Sequence, residues 1–393
     1  MDIVYFYRRS IMIKGIKKVG YVMSKIVAFF KKDVVFSIAL LIAIVTVFIV
    51  PPSTDYFGYI NTTVLIIMFS LMIAVGGMLE ANLFSKIAIF LTSKFYSIRY
   101  IGLVIVFSTF FLGMWVTNDA VLLTLVPFTI ILTKQTKQEK YTLIIVILQT
   151  FAANMGASLT PMGDPQNIYL YSYYNLGFGE FVLTMLPVTI TSFVLIFITT
   201  YFLLPNEFVS PTMVMPKINR KHLGLYVLIF VVTVLAVLKV IPAWVAFVNT
   251  FSFTLIFFRH LFKKVDYFLL MTFVMFFIIS GNISQIHIFD GFRENVMNSN
   301  IKVYYSSLLT SQILSNVPAS VLLSSFTDKI YWKALLRGVN VGAMGSLIAS
   351  LASLITFKFV TKAFPTQKKE YVQTYTLLSV IFITFISLII YFF

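Results

Sequence analysis

Long apolar stretches, separated by short polar segments, run through the chain from residue 33 to its end. About 20 consecutive apolar residues are needed for a helix to cross the hydrocarbon core of a bilayer. The pattern predicts unbroken spanning helices at 33–50, 61–80, 180–204, 223–239, 243–258, 267–285 and 371–391. Two further stretches, at 141–175 and 334–357, are long and apolar as well, but polar residues interrupt each of them.

The first interruption reads ANMGASLTPMGDPQN from Ala153 and contains two Pro, two Gly and an Asp. Pro and Gly break the ladder of helical hydrogen bonds. Hydrocarbon offers no partner to the freed N–H and C=O groups, so such backbone persists only inside protein or beside a wet cavity. The second interruption spans 340–346. We therefore predict two broken helices, the arrangement from which secondary transporters build ion and substrate sites.

Two other apolar regions, 100–133 and 303–328, carry polar triplets at their midpoints. The triplets are Thr117-Asn118-Asp119 and Ser315-Asn316-Val317. Each half is about 13–17 residues long, which is short for a complete span at a rise of 1.5 Å per residue. We predict that each region is a re-entrant helical hairpin with the triplet at its tip.

The distribution of charge favours this topology. With a cytoplasmic N-terminus and two re-entrant hairpins, 24 of the 30 Lys and Arg residues lie on the cytoplasmic side, as the positive-inside rule expects. The C-terminus is then outside. The chain divides into a first repeat at 33–204, a linker with one span at 205–242 and an inverted second repeat at 243–393. Residues 1–32 are basic and amphipathic, which suits either an interfacial helix or a partly disordered anchor.

Composition places the chain in the membrane. Of its 393 residues, 59% are hydrophobic and 11% are charged, and its mean hydropathy is +0.94, whereas a soluble domain is about a quarter charged. We predict an all-α polytopic protein of the plasma membrane whose first span is not cleaved. The net charge of +16 lies between apolar segments, so no nucleic-acid partner is expected. There is no Cys, and His222, His260 and His287 fall at predicted loops or interfaces, where solvation is expected rather than a metal.

The hairpin tips are the first candidate binding site. A tip at mid-membrane presents a helix N-terminus, which suits an anion, and a helix C-terminus, whose carbonyls suit a cation. Short polar side chains belong there because they cap helices without filling the cavity. The predicted substrate ligands at the tips are Thr117, Asn118, Ser315, Asn316 and Pro318. The alternative is that these residues only cap and start helices.

The broken helices supply the remaining candidates. In the first we expect Asn154, Gly156, Ser158, Thr160, Pro161 and Asn167 near the substrate, and in the second Asn340, Gly342 and Ser346. Gly342 also suits close helix packing, and packing is the interpretation we favour for Ser350 and Ser353. Glu80 is placed at the interface rather than in a site.

Two acidic residues lie within the apolar regions. Asp119 and Asp164 are candidates for proton or coupling-ion binding, because an ionisable side chain in the membrane interior is costly and usually functional. Together with Asn118 and Asn316 they define a possible Na⁺ site, placed at Asn118, Asp119 and Asn316. The alternatives are helix capping by Asp119 and a turn at Gly163-Asp164-Pro165. No Walker A or hydrolase motif occurs in the chain, so we expect neither an enzyme nor an organic cofactor.

At these motifs the chain resembles the ion-transporter superfamily of arsenite permeases, NhaD-type sodium/proton antiporters and divalent anion–sodium symporters. The resemblance rests on TNDAVLLTLVPF from Thr117, NMGASLTPMGDPQN from Asn154, SNVPASVLLSSFT from Ser315 and GVNVGAMGSLIASLASL from Gly338. It implies a scaffold domain with a homodimer interface, a transport domain that carries the hairpins, and elevator-type movement.

The resemblance also bears on the substrate. In the symporter branch the tips resemble Ser-Asn-Thr, which binds Na⁺ and carboxylates. Asn118 and Asn316 match this pattern, but Asp119 and Val317 replace the last hydroxyl residue. An added carboxylate repels a dianion, so a singly charged or neutral oxyanion, or a cation exchanged for protons, fits Asp119 better.

These expectations combine into one functional hypothesis. We expect a secondary transporter of a small anion or oxyanion, coupled to Na⁺ or H⁺. The alternative is a sodium/proton antiporter that uses Asp119 and Asp164. A channel or a non-transporting scaffold is less well supported, since paired hairpins suit alternating access.

Overall fold

The fold is helical throughout the described chain. A computed structural model describes residues 33–210, 214–218, 220–286 and 290–391, and in these ranges the only β-type pairing is an isolated bridge between Ser97 and Phe208. The basic N-terminal segment at 1–32 and His287 lie outside the described residues. The prediction of an all-α polytopic membrane protein is confirmed.

The described helices fall into two halves, nine before and eight after one connecting helix. The helices of the first half are α1 (Val34–Ile49), α2 (Asp55–Tyr59), α3 (Thr62–Glu80), α4 (Leu83–Thr92), α5 (Ile98–Gly113), α6 (Asn118–Gln135), α7 (Thr142–Ala157), α8 (Pro165–Tyr173) and α9 (Phe178–Leu203). After α10 (Arg220–Val237), those of the second half are α11 (Ala243–Phe257), α12 (Tyr267–Ile283), α13 (Asp290–Val296), α14 (Asn300–Leu314), α15 (Asn316–Ser324), α16 (Trp332–Gly342), α17 (Leu351–Ala363) and α18 (Lys368–Ile390). The inverted orientation of the halves stays a prediction.

Four of the described helical stretches are long enough to cross a membrane. In the described ranges, α3, α9, α10 and the stretch Pro365–Ile390 that contains α18 are long and apolar enough to cross a membrane. The other predicted spans, α1, α11 and α12, form helices of 15–17 residues.

The predicted hairpins form two helix–loop–helix units. The first is α5 and α6, separated by residues 114–117, and the second is α14 and α15, which meet at Ser315. The return helix of the second unit is only nine residues long. It ends at Ser324, where the mostly polar segment Ser325-Phe326-Thr327-Asp328 begins. Beyond this end the Tyr174 hydroxyl donates to the Thr327 carbonyl oxygen at 3.2 Å.

The predicted broken helices are interrupted. The helices α7 and α8 are separated by residues 158–164, and α16 and α17 by residues 343–350. Polar and Gly-rich sequence explains both gaps, since neither segment offers an uninterrupted helical pattern. Pro165 begins α8, where its missing N–H has no partner to lose.

Two compact units are present in the described chain. One comprises residues 33–60 and 266–285, in which the Asn282 amide donates to the Thr46 hydroxyl oxygen at 3.1 Å and to the Tyr56 hydroxyl oxygen at 2.9 Å. The other comprises residues 61–265 and 286–391 and contains all the predicted site residues.

The centre of this second unit is α7. Of its residues only Ile144 is not fully buried, and the helix packs against α5, α6, α9 and α17. Three of its polar side chains, Gln149, Thr150 and Asn154, are buried within this packing. Gln149 and Thr150 bond to side chains of neighbouring helices, namely Thr109, Thr129 and Thr356. A buried polar group must be paired in this way, so the helix that carries Asn154 is held at a fixed depth and rotation.

Candidate functional site

The tip of the first hairpin is attached to the break between α7 and α8. The backbone N–H of Asn118 donates to the Gly163 carbonyl oxygen at 3.2 Å. Its side-chain Nδ2 donates to Asn154 Oδ1 at 2.9 Å and to Asp164 Oδ2 at 3.0 Å, while its Oδ1 accepts from the Asp119 N–H at 2.8 Å. Asn118 is 1% exposed. The backbone N–H and the side-chain Nδ2 of Asn118 therefore join the hairpin to the broken helix, while its Oδ1 caps α6.

The tip of the second hairpin repeats this backbone arrangement. The N–H of Asn316 donates to the Ala349 carbonyl oxygen at 2.8 Å, and its Oδ1 accepts from the Val317 N–H at 2.9 Å. The side chains differ, because Asn316 Nδ2 is buried without a hydrogen-bond partner. An unsatisfied buried N–H donor is destabilising unless a ligand or water accepts from it. The second tip thus holds an available donor at the position where the first tip binds Asp164.

Ser315, at the start of this tip, has an unusual backbone. Its φ of 74° and ψ of 155° fall in a region that is nearly restricted to Gly, and such a residue costs about 1–3 kcal/mol. Its hydroxyl donates to the Ala349 carbonyl oxygen at 3.2 Å and to Asn316 Oδ1 at 3.3 Å. These bonds hold the strained residue and orient the Asn316 amide.

The two broken helices meet at Asn154. Its Nδ2 donates to the Ala343 carbonyl oxygen at 3.3 Å, and its Oδ1 accepts from the Ser350 hydroxyl at 3.1 Å. Ser350 directly follows Ala349, to which the second tip is bonded. One buried polar network therefore connects the two hairpin tips, through Asn118, Asn154 and the 349–350 backbone. We call Asn118, Asn154, Asp164, Asn316, Ala349 and Ser350 the tip network.

A second bridge between the broken helices lies beside the tip network. Asn340 Nδ2 donates to Asn167 Oδ1 at 2.8 Å, and Gln166 Nε2 donates to Asn340 Oδ1 at 3.3 Å. Gln166 Oε1 is buried without a hydrogen-bond partner. Gln166 therefore offers an unpaired acceptor beside the bridge. The sequence analysis did not single out this residue, although it lies within the polar run that begins at Ala153.

Both acidic candidates are at this end of the first broken helix and hairpin. Asp164 is 3% exposed and holds the position before α8, yet its side chain makes no capping bond and accepts from Asn118 instead. It forms no ion pair with a described Lys, Arg or His. Asp119 is half-buried in the first turn of α6, where the helix dipole favours a negative charge.

Several predicted ligands have their hydroxyl groups or surfaces taken up by packing. The Ser158 hydroxyl donates to the Met155 carbonyl oxygen, and the Thr160 hydroxyl to the Met114 carbonyl oxygen. A Cβ on Gly156 would lie 2.0 Å from the Phe110 carbonyl oxygen, so this glycine allows α5 and α7 to approach. Pro161 is buried in the same segment.

In the second half, too, several predicted ligands pack between helices. A Cβ on Gly342 would lie 2.9 Å from Ser311 Cβ, and the Ser346 hydroxyl donates to the Gln312 carbonyl oxygen at 2.9 Å. Ser353 contacts the Tyr375 hydroxyl at 2.8 Å, in accord with a packing role. Ser350 differs from the packing expectation, because it caps α17 and also contacts Asn154. Pro318 and Thr117 lie beside the tip asparagines, at the starts of α15 and α6.

The remaining predictions concern exposed groups. Glu80 is exposed at the end of α3 and pairs with His260 at 2.9 Å and Lys264 at 2.8 Å. His222 is exposed within α10 rather than in a loop. Among the residues that the structure describes, no three His, Cys, Asp or Glu side chains are grouped for a metal ion. The oxygen atoms of the tip network, from carbonyl, amide and carboxyl groups, are of the kind that Na⁺ and other hard cations prefer.

Known proteins resemble this chain over most of its length. The family model described as citrate transporter matches residues 19–331, a region that contains both hairpins and the first broken helix. The chain belongs to the citrate transporter family. The membership confirms the resemblance to the ion-transporter superfamily stated from the four motifs. It also makes the chain a membrane transporter rather than an enzyme.

Individual relatives agree with the family. An uncharacterized transporter of Methanocaldococcus jannaschii is 31% identical over 77% of this chain and 82% of its own length. The inner membrane protein YbiR of Escherichia coli is 27% identical over 83% of this chain and 87% of its own length. A low-affinity phosphate transporter of Saccharomyces cerevisiae is 32% identical over 23% of this chain and 11% of its own length. This citrate transporter family member is therefore a multi-pass secondary transporter of the anion-transporting kind.

Proposed function

We propose that this protein carries a small, singly charged anion or neutral oxyanion across the plasma membrane, coupled to Na⁺ or H⁺. The observation that supports this most directly is the tip network, which brings polar atoms of two hairpins and two broken helices together inside the apolar unit. Asn316 Nδ2 in this network and Gln166 Oε1 in the neighbouring bridge are buried without protein partners. An unpaired donor and an unpaired acceptor inside the protein are what a small oxyanion or its protonated form requires.

The position of Asp164 supports a substrate with at most one negative charge. Asp164 bonds to Asn118 of the tip network and has no basic partner in the described chain. A dianion bound nearby would meet the repulsion of a carboxylate in a low-dielectric interior. A monoanion accompanied by a cation or a proton at Asp164 avoids this repulsion. The same reasoning links substrate binding to the coupling ion.

We further propose an elevator-type movement in a homodimer, with the N-terminus in the cytoplasm and the C-terminus outside. Each hairpin tip is hydrogen-bonded to the broken helix of its own half, through Gly163 and Ala349. The broken helices are bonded to one another through Asn154 and Asn340. Elements tied in this way suit one moving body that carries its site across the membrane.

A second candidate function is sodium/proton antiport at Asp119 and Asp164. The observation in its favour is the buried Asp164 carboxyl, which lacks a basic partner among the described residues. In an antiporter this group exchanges Na⁺ for H⁺ and no anion is needed. The open amide of Asn316 has no role in that reaction, and for this reason anion transport is the function we favour.

Transport by the purified protein in proteoliposomes separates the two functions. Uptake of labelled citrate, phosphate, sulfate and arsenite is measured under an imposed Na⁺ gradient, an imposed pH gradient and neither. The proposal expects arsenite, which is neutral, or phosphate, as its monoanion, to accumulate only when a gradient is present. Gradient-driven accumulation of sulfate or citrate alone would contradict the proposed charge of the substrate. Collapse of a pH gradient by Na⁺ in the absence of any of these anions would instead establish the antiporter.

A further inference from the structure

A cavity separate from the tip network opens where four helix ends meet. Its volume is about 870 Å³, and its lining comes from the first two turns of α9, α14 and α16, from Ile330 before α16 and from the end of α18. The lining residues include Glu180, Tyr304, Lys333, Arg337 and Ser387, and no residue of the tip network. The cavity therefore needs an explanation apart from the transport site.

The most informative residue in this cavity is Arg337. Its side chain is half-buried, and its Nε donates to the Thr184 carbonyl oxygen at 3.1 Å. In the described chain, no carboxylate lies within 4.0 Å of its guanidinium, although Glu180 lines the same cavity. A partly buried cation without a counter-charge is unfavourable, so an anionic group from a ligand would stabilise this position.

The electrostatics of the cavity favour an anion. Lys333 adds a second positive charge one turn before Arg337, against the single carboxylate of Glu180. Three of the four helices present their N-termini, whose free N–H groups carry partial positive charge, while α18 presents its C-terminus. The fork of an Arg side chain matches a phosphate group in geometry.

The size and remaining lining point to an amphiphile. Binding sites for drug-sized molecules measure about 300–1,000 Å³, whereas an inorganic ion fills only a small part of such a volume. Large apolar side chains of the lining are strongly exposed, with Leu183 at 69%, Ile330 at 73% and Tyr391 at 67%. At a membrane boundary such side chains face lipid, and Tyr is enriched there.

We propose that this cavity binds an anionic phospholipid, with its phosphate on Arg337 and Lys333 and its acyl chains along Leu183 and Ile301. The site requires no transport activity and is independent of the function proposed above. Tyr304, whose hydroxyl contacts the Ser387 hydroxyl at 2.8 Å, forms the wall between α14 and α18. Bound lipid would link the second hairpin to α9 and α18.

Lipid binding to the intact protein in detergent tests this site. Phosphatidylglycerol, phosphatidylcholine and inorganic phosphate are added separately, and bound lipid is counted by native mass spectrometry beside thermal unfolding. We expect tighter binding and greater stabilisation with phosphatidylglycerol than with phosphatidylcholine. Arg337→Gln is expected to weaken phosphatidylglycerol binding about tenfold, since a charge-assisted contact is lost.

Matched variants make the result decisive. Lys302→Gln removes one positive charge from an exposed position on α14 outside the cavity, and should leave binding unchanged. If Arg337→Gln is not recovered as folded protein, Lys333→Gln replaces it, because the Lys333 side chain is exposed. Equal binding of both lipids, or full phosphatidylglycerol binding by the cavity variant, would overturn the proposal. Stabilisation by inorganic phosphate alone would make it a site for free anions.

Discussion

At the residue scale, the two tip asparagines have the same backbone role and different side-chain roles. Both N–H groups bond to a carbonyl oxygen in the broken helix of their own half, Asn118 to Gly163 and Asn316 to Ala349. The side-chain Nδ2 of Asn118 donates to Asn154 and Asp164, whereas Asn316 Nδ2 has no hydrogen-bond partner. The difference follows from the sequence, because Asp164 has no acidic counterpart beside Ala349. In the proposed function, the first tip accordingly serves the coupling ion and the second tip the anion.

Asp164→Asn should uncouple transport. The new amide oxygen still accepts from Asn118, so the fold is retained, but the ionisable group is lost. We expect accumulation driven by the Na⁺ or pH gradient to fall about tenfold or more, as befits the loss of a buried charged ligand. Gradient-driven uptake in proteoliposomes measures this. Asp55→Asn, the same change at an exposed site, should transport normally.

The outcome of a second variant locates the coupling site. If Asp164→Asn keeps its full dependence on the gradient while Asp119→Asn loses it, coupling belongs to the hairpin tip instead. Unchanged coupling in both variants would remove the acidic residues from the mechanism.

The sequence identified the tip asparagines, Asn154 and both acidic residues, because polar residues in apolar stretches are conspicuous. It did not identify Gln166 or assign Ser350 to the network. Ser350 contacts Asn154 across 196 positions of the chain, and no local pattern of residues encodes such a contact. Gly156 and Gly342 were expected near the substrate, but both lie where neighbouring helices approach closely.

At the element scale, the hydrophobic pattern located the long apolar helices, but it did not predict the short helix α2. The first hairpin was predicted at 100–133 and consists of Ile98–Gly113 and Asn118–Gln135. The second was predicted at 303–328, but its return helix ends at Ser324. The residues that follow Ser324 are Ser325, Phe326, Thr327 and Asp328, of which only Phe326 is apolar. The sequence therefore does mark the end of this helix, and the prediction extended the helix too far.

Close contact between hairpin and broken helix is a testable property of these elements. Gly156→Ala would place a Cβ 2.0 Å from the Phe110 carbonyl oxygen, a backbone atom that cannot swing aside. We expect the free energy of unfolding to fall by about 1–3 kcal/mol or more, measured by thermal unfolding of the purified protein. Gly224→Ala is the control, since its Cβ would have no neighbour within 4 Å.

The two substitutions are expected to change the free energy of unfolding in opposite directions. Gly224→Ala, within α10, should stabilise the protein by about 0.5–1 kcal/mol, because Ala is the better helix former. Equal stability of Gly156→Ala and the wild-type protein would mean that α5 and α7 are further apart than described.

At the scale of the whole molecule, the sequence predicts that the second half repeats the first in inverted orientation. The absence of Cys from the sequence provides a background for testing this topology. Single Cys residues at Lys94 and Lys134 flank the first hairpin, and those at Asn298 and Lys329 flank the second. All four positions are exposed.

Membrane-impermeant maleimide applied to intact cells should label the second pair and not the first. Permeabilised cells should label all four, which controls for reactivity. If the two positions that flank one hairpin label from opposite sides, that hairpin crosses the membrane, and the inverted repeat is wrong.

The central claim is that the open amide of Asn316 binds the transported anion. Asn316→Asp keeps the oxygen that accepts from the Val317 N–H and replaces the donor with a negative charge. Asn298→Asp makes the same change at an exposed position. Both variants and the wild-type protein are compared for gradient-driven anion uptake in proteoliposomes. We predict a loss of about tenfold or more in Asn316→Asp alone. Wild-type uptake by Asn316→Asp would contradict the account.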